Sequence, residues 1–517
     1  MNAPLEMPRA GRREWIGLAV LALPCLLYAM DMTVLNLAVP HLSADLKPSS
    51  GELLWIVDIY GFLIAGSLIT MGTLGDRIGR RKLLLIGATA FGLASIFAAF
   101  ATTPAMLIVA RALLGLAAAT LAPSTLSLLR NMFHDPRERT FAIGVWIASF
   151  SAGAAIGPLV GGALLAYFWW GSVFLIAVPV MVLLLVVGPF LLPEFRDPDA
   201  GRLDILSALM SLVAILSVIF GVKQIAEHGV SALALGAILL GIVLAGLFLL
   251  RQRKLADPLI DLALFREPAF SASLLVNLLA FFIAFGSFLF IAQYLQLVLG
   301  LSPLEAGLWS LPSSVAFIAG SMITPMLAGR IRPSLLMVSG LVIAAAGFAA
   351  VAWAANLGEL IAMIAAFTLF SLGLAPVFTL TTDFVVGTVT PERAGAASAI
   401  AETCTELGGA LGIALLGSIV TAVYRTGIVR TAPDGIPDEV AAIAHDTLGG
   451  ALTVAADLPA PLGSRLVEGA QAAFSSGLVL AAALCAAIAL AAALLVAVLL
   501  RNVNTSEPES GALAPAE

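Results

Sequence analysis

Charge is what this sequence has least of. Of its 517 residues only 11% are Asp, Glu, Lys or Arg, whereas 61% are hydrophobic, and the mean hydropathy is +1.05. A soluble globule of this length needs far more polar surface, so the chain reads as an integral membrane protein. Cysteine is scarce as well. Cys25, Cys404 and Cys485 stand far apart inside apolar runs, which argues against a disulfide framework or a thiolate metal cluster. The four histidines, His41, His134, His228 and His445, share no ligand spacing, so no metal site is expected. The basic residues are not pooled on any segment and the formal charge is −6, which gives no reason to expect a nucleic-acid partner. A nucleophile–base constellation and a phosphate loop of the type G-x-x-x-x-G-K-[ST] are also missing, which argues against an enzyme and against ATP as energy source. No cofactor is expected.

What is there is a succession of long apolar runs. They lie near 15–40, 53–74, 83–101, 105–129, 141–167, 170–193, 204–223, 231–250, 270–299, 306–328, 334–355, 359–383, 394–422 and 474–500, each about long enough to cross a bilayer as a helix. The first is too long for a signal-peptide core and has no clear cleavage site, so it is retained. With the amino terminus inside, twenty of the 26 Lys and Arg residues fall on the inner side. Five (Lys47, Lys223, Arg425, Arg430 and Arg465) fall outside, and Arg111 lies in mid-helix. By the positive-inside rule this bias places both termini in the cytoplasm.

Two short patterns stand out. In the fifth run, Gly153, Gly157, Gly161 and Gly162 surround Pro158, and the spacing of four between the first three makes a side-chain-free stripe for a second helix. Pro158 removes a backbone donor and should bend the helix. After the second run comes Gly72-Thr-Leu-Gly75-Asp76-Arg77-Ile-Gly79-Arg80-Arg81-Lys82. Here Gly75 and Gly79 permit a tight turn, Asp76 can bond an adjacent helix end, and the arginines hold the inner face. A degenerate copy, Ala328 to Gly340, aligns without gaps on Gly75 to Gly87 but lacks the aspartate. That points to a duplicated chain with a midplane site between its halves.

The loop matches the G-x-L-x-D-R-x-G-R-[RK]-[RK] signature of the major facilitator superfamily, and the glycine stripe closely resembles that superfamily's exporter motif in the fifth helix. Asp31-Met-Thr33-Val34-Leu-Asn36-Leu-Ala38-Val-Pro40 resembles the first-helix motif of its fourteen-helix drug:H+ antiporters, of the QacA and SmvA type. The resemblance implies an all-α integral membrane fold with 14 transmembrane helices: two six-helix bundles, an inserted pair, and an extracellular hairpin between helices 13 and 14. It also implies that the loop after helix 2 latches the halves in the outward-open state. The expected organisation is a leader at 1–13, a first bundle at 14–193, the inserted pair with its loops at 194–268, and a second bundle at 269–500. An extracellular loop occupies 423–473, either folded into short helices or mobile, and a disordered cytoplasmic tail follows at 501–517.

Charges inside helices carry the mechanism, because a carboxylate near the bilayer centre costs roughly 2.5–3.5 kcal/mol. Asp31, Glu402 and Glu406 lie deep. The last two are spaced i, i+4 on one helix face and should titrate as a coupled pair, as proton carriers or as counter-charges for a cationic drug. Asp58 is shallower, with an interfacial role as its rival. Asp383 reads as a boundary residue, and a solvated or capping role would suffice for Glu305. Arg111 falls in the R-x-x-x-G pattern that the family links to proton transfer. A guanidinium cannot itself shuttle protons, so it acts on a nearby carboxylate or forms a structural pair with Asp31. Trp55, Tyr60, Trp309 and Phe378 are candidate cavity aromatics for lipophilic cations.

These readings converge on a proton-driven exporter of lipophilic, mainly cationic compounds. It would work by alternating access as a monomer in the bacterial inner membrane, powered by the proton motive force. The rivals are an exporter of an endogenous metabolite or amphiphile, and a non-transporting membrane sensor.

Overall fold

The computed structural model describes residues 9–48, 50–196, 204–255, 258–389, 394–433 and 436–501, so the expected tail and most of the leader lie outside the described residues. Among these residues fourteen helices are long and apolar enough to cross a membrane, and no strand occurs. The helices are α1 (Arg12–Leu46), α2 (Ser50–Ile78), α3 (Arg80–Ala99), α4 (Pro104–Met132), α5 (Pro136–Tyr167), α6 (Ser172–Leu175), α7 (Ala177–Leu191), α8 (Ile205–His228) and α9 (Ala232–Gln252). They continue with α10 (Pro268–Gln293), α11 (Pro303–Ala328), α12 (Pro333–Leu357), α13 (Leu360–Gly387), α14 (Ala394–Thr431), α15 (Asp438–Asp446), α16 (Leu448–Ala455) and α17 (Ala460–Leu499). Short α6 and α7 together make the sixth span, α8 and α9 the seventh and eighth, and α17 the last.

Helix ends follow local chemistry. The Asp135 carboxylate accepts from the amides of Arg137 and Glu138 and starts α5, with Pro136 at its first position. Ser302 and Glu305 form a reciprocal capping box on α11, which gives Glu305 the capping role. Gly358, at φ 69°, ends α12 in the left-handed region that glycine enters without a Cβ penalty.

The glycine stripe of α5 packs on α1. A Cβ at Gly153 would strike the Leu26 carbonyl, one at Gly157 the Thr33 hydroxyl, and one at Gly161 the side chain of Val34. Gly162 faces no neighbour, so the close approach uses three glycines. α5 runs unbroken through Pro158, whose side chain lies outside the described residues.

Two expectations need correction. The segment Gly72–Lys82 is mostly helix: α2 continues to Ile78, and Gly79, at φ 111°, is the only residue between it and α3. Gly75 therefore makes no turn. It lies inside α2, where a Cβ would collide with the Arg80 side chain. The 423–473 loop is also shorter than the apolar runs indicate, since α14 extends to Thr431 and α17 begins at Ala460. Polar side chains near a membrane face do not stop a helix whose backbone bonds are already satisfied internally. Between them α15 and α16 form a hairpin, fastened where the Tyr424 hydroxyl donates to the Ala444 carbonyl at 2.7 Å.

Helices α8 and α9 pack on each other, and α8 lies against both α2 and α14. Their basic ends are joined by Arg251, which grips Asp204 with two bonds of 2.7 and 3.1 Å and holds its carboxyl down at about 2. The Gln252 amide donates to Ser207 and accepts from the Leu259 amide. The Leu259 carbonyl in turn accepts from Thr73 on α2. The inserted pair is thus tied to the helix that carries Asp76.

Candidate functional site

Asp31 and Arg111 meet inside the first half. Arg111 Nη1 lies 2.5 Å from Asp31 Oδ2, its Nε donates to the Ile56 carbonyl at 3.1 Å, and the guanidinium sits 4.3 Å over the Tyr60 ring. Arg111 is 1% exposed, so these partners replace water around a charge that cannot be neutralised. Asp31 is the carboxylate that both sequence readings of Arg111 call for. The Tyr60 hydroxyl is fully buried without a bonding partner, within electrostatic reach of Asp31 on one side and Glu406 on the other.

Glu402 and Glu406 project from α14 one turn apart. The Tyr28 hydroxyl on α1 donates to Glu406 Oε1 at 2.7 Å, a bond between the two halves of the molecule. Glu402 is 9% exposed and lies within electrostatic reach of Cys25 on α1. Asp31, Arg111, Tyr60, Tyr28, Glu406 and Glu402 thus form one chain of neighbours from α4 through α1 and α2 to α14. The Tyr28 and Tyr60 rings stand 6.3 Å apart, and Phe150 lies edge-on to Tyr28 at 5.6 Å. The side chain of Asp58 lies outside the described residues.

The aromatic candidates divide. Tyr60 belongs to the acid cluster. Phe378 lies tilted against Phe281 at 4.2 Å and meets Phe317 at 5.6 Å, forming an apolar wall from α10, α11 and α13. Trp55 is 46% exposed and packs edge-on to Phe62. Trp309 borders an open apolar groove of about 470 Å³ between α11 and α13, together with Pro312, Ile361, Thr368 and Leu372. None of the acids lines that groove.

The basic end holds the halves together. Asp76 pairs with Arg80, with the Nε bond at 2.7 Å, and accepts from the Ala396 amide in the first turn of α14 at 3.1 Å. A carboxylate there meets unpaired amides and the positive end of the helix dipole. Gly72 faces Ala399 and the Gly395 carbonyl, so α2 and α14 touch closely. Arg77 ends α2. Arg81 turns to the carbonyls of Pro189 and Leu192, and Glu194 accepts from the amides of Arg81 and Lys82 to cap α3.

Asp383 is more than a boundary residue. Fully buried on α13, it accepts from Arg139 Nε at 2.9 Å and from the Thr140 hydroxyl at 2.8 Å, both on α5 of the other half. Counting residues from the helix end gave its depth but not its partner, which lies 244 positions away.

A Major Facilitator Superfamily family model matches residues 21–413. The multidrug efflux pump LfrA of Mycolicibacterium smegmatis is 46% identical over 478 residues, covering 92% of this chain and 94% of LfrA. The methyl viologen resistance protein SmvA of Salmonella typhimurium is 37% identical over 467 residues, covering 89% and 93%. Among solved structures, the human organic anion transporter MFSD10 superposes with a TM-score of 0.60 over 93% of this chain and 99% of that one. At 16% identity this similarity speaks for the fold alone.

Proposed function

The chain belongs to the Major Facilitator Superfamily and sits among its fourteen-helix transporters, and from that premise we propose that it is a drug efflux pump driven by proton antiport. Its substrates are lipophilic, mainly cationic compounds such as quaternary ammonium antiseptics and dyes. It acts in the bacterial cell membrane as a monomer with both termini in the cytoplasm, so the basic end faces inward. The concentration of arginines at that end supports the orientation.

The observation that carries the reading is the Tyr28–Glu406 bond, which places the acid pair of one half against the Asp31–Arg111 centre of the other. Two carboxylates one turn apart in a site largely shut off from water repel when both are charged, so they retain a proton between them until something else neutralises them. A cation entering between Tyr28 and Glu406 supplies that charge and frees the proton. The phenol then loses its acceptor, and the tie between the halves goes with it. Arg111 never carries the proton. It fixes Asp31 in place, and its planar charge over Tyr60 shapes the wall that a flat cation meets. At the inner end, Asp76 on the α14 amide and Arg139 on Asp383 keep the cytoplasmic mouth shut while the outer side is accessible. Opening inward breaks both. The domain reading follows the same division: 14–193 and 269–500 are the moving halves and 194–268 is the inserted pair.

Proton flux in inside-out vesicles carrying a pH dye tests this. Adding a quaternary ammonium compound to wild type releases an imposed proton gradient, and Glu406→Gln is silent. A wild type that stays silent across several lipophilic cations overturns cation antiport and leaves export of a metabolite or amphiphile, or sensing.

A further inference from the structure

A buried polar node joins three helices of the second half beside the glutamate pair. Asn277 on α10 is 2% exposed, and its Nδ2 donates to the Thr405 hydroxyl at 3.0 Å and to the Ala401 carbonyl at 3.4 Å. Its Oδ1 accepts from Thr381 of α13 at 3.2 Å, a hydroxyl within reach also of the Val377 carbonyl of its own helix at 2.8 Å. Ala401 to Thr405 is the turn from which Glu402 springs, and Glu406 is the next residue. The one amide therefore sets how that turn stands against both α10 and α13.

The first half contains the same arrangement, which the degenerate loop copy did not reveal. In that half the Leu26 carbonyl of α1 faces Gly153 of α5. In this half the Leu278 carbonyl of α10 faces Gly408 of α14, and Phe282 faces Gly412 in the same way. Matching leucine to leucine and glycine to glycine puts Cys25 at the place of Asn277 and Trp146 at the place of Ala401. Thr125 on the fourth helix of its bundle then answers to Thr381 on the fourth helix of the other. Cys25 Sγ indeed lies 3.6 Å from Thr125 Oγ1, which accepts from Trp146 Nε1 at 3.0 Å. The two nodes occupy matching positions in the two halves, and only the second grips the turn that bears Glu402 and leads into Glu406.

We infer that Asn277 is a positioning residue for proton coupling: it fixes the rotation of the α14 turn so that Glu406 meets Tyr28. This rests on the antiport reading above, and the test separates the two. A buried, fully bonded amide has high rotational selectivity, because turning the helix leaves its donors unpaired in a dry setting.

Two readouts decide. Cys404 lies in this turn and is half-buried, whereas Cys25 and Cys485 are buried. Its alkylation by N-ethylmaleimide, mapped by mass spectrometry on purified protein, needs no transport. Asn277→Ala is expected to speed it about tenfold and Thr405→Val about threefold, in line with the loss of one or two buried bonds. Substrate-driven proton release is expected to fall by a similar factor in each. The double variant Asn277→Ala/Tyr28→Phe is expected to be no slower than the worse single, because both changes remove the same Tyr28–Glu406 contact. Unchanged Cys404 reactivity in monodisperse Asn277→Ala overturns the proposal, and so do effects that multiply in the double variant. Faster alkylation in a protein whose wild type moves no protons keeps the clamp on α14 but refutes its coupling role together with antiport.

Discussion

The phenol of Tyr28 on α1 and the carboxylate of Glu406 on α14 are joined at 2.7 Å although 378 residues separate them in sequence. Tyr28→Phe keeps the ring and removes only the donor. Substrate-driven proton release should slow about five- to tenfold, the roughly 1–1.4 kcal/mol net value of one hydrogen bond, while Glu406→Gln abolishes it. Stopped-flow dye quenching in vesicles checks both.

Arg111 makes three kinds of contact, to Asp31, to the Ile56 carbonyl and to the Tyr60 face. Lysine has neither the planar fork nor the reach for all of them, so Arg111→Lys should leave transport impaired by about tenfold or more. Arg111→Ala leaves Asp31 uncompensated and should lower stability in detergent by about 3 kcal/mol, part of which returns in Arg111→Ala/Asp31→Asn. Thermal unfolding of the purified variants measures this.

Opening at the basic end requires parting Asp76 from the α14 amide and Asp383 from Arg139 and Thr140. Asp76→Asn/Asp383→Asn should therefore shift the population toward the inward-open form. A cysteine introduced as Ala399→Cys, shielded by Gly72 in the closed form, should label about tenfold faster in the double variant than in the parent, for about 1.4 kcal/mol of lost closure.

The α5 glycines offer a contrast within one motif. Gly153→Ala forces a methyl group against the Leu26 backbone, whereas Gly162→Ala meets nothing. The first should cost about 1–3 kcal/mol and the second a few tenths at most, read as melting temperatures.

Asp204 gives a pH signature outside the membrane. Arg251 lowers its carboxyl from the ordinary 3.8 to about 2, so the pair stabilises the inserted helices fully above pH 4 and the contribution disappears as pH falls through 2. Arg251→Gln should lower the melting temperature near neutral pH, and the gap to wild type should close between pH 4 and pH 2.

The fourteen spans were legible because long stretches without charge have few homes other than lipid. The deep acids were legible because each is costly where it stands. Their partners were not. Tyr28 for Glu406 and Arg139 for Asp383 come from the opposite half, and counting along a helix gives depth but neither facing nor neighbour. Gly75 was misread because glycine signals a turn as readily as a crowded helix face, and only the Arg80 side chain distinguishes the two. Asn277 left almost no signal, since one uncharged amide barely alters the hydropathy of its run.

Gly79 alone separates α2 from α3, and its φ of 111° excludes almost any other residue. A joint of one residue has no slack, so α2 cannot tilt without carrying α3 and the Glu194 cap along with it. The connection from α9 to α10, with fifteen residues between Gln252 and Pro268, is moored part-way along instead, where Leu259 bonds both Gln252 and Thr73. The first junction is a stiff crank and the second a moored cable. An insertion at Gly79 would uncouple the machine.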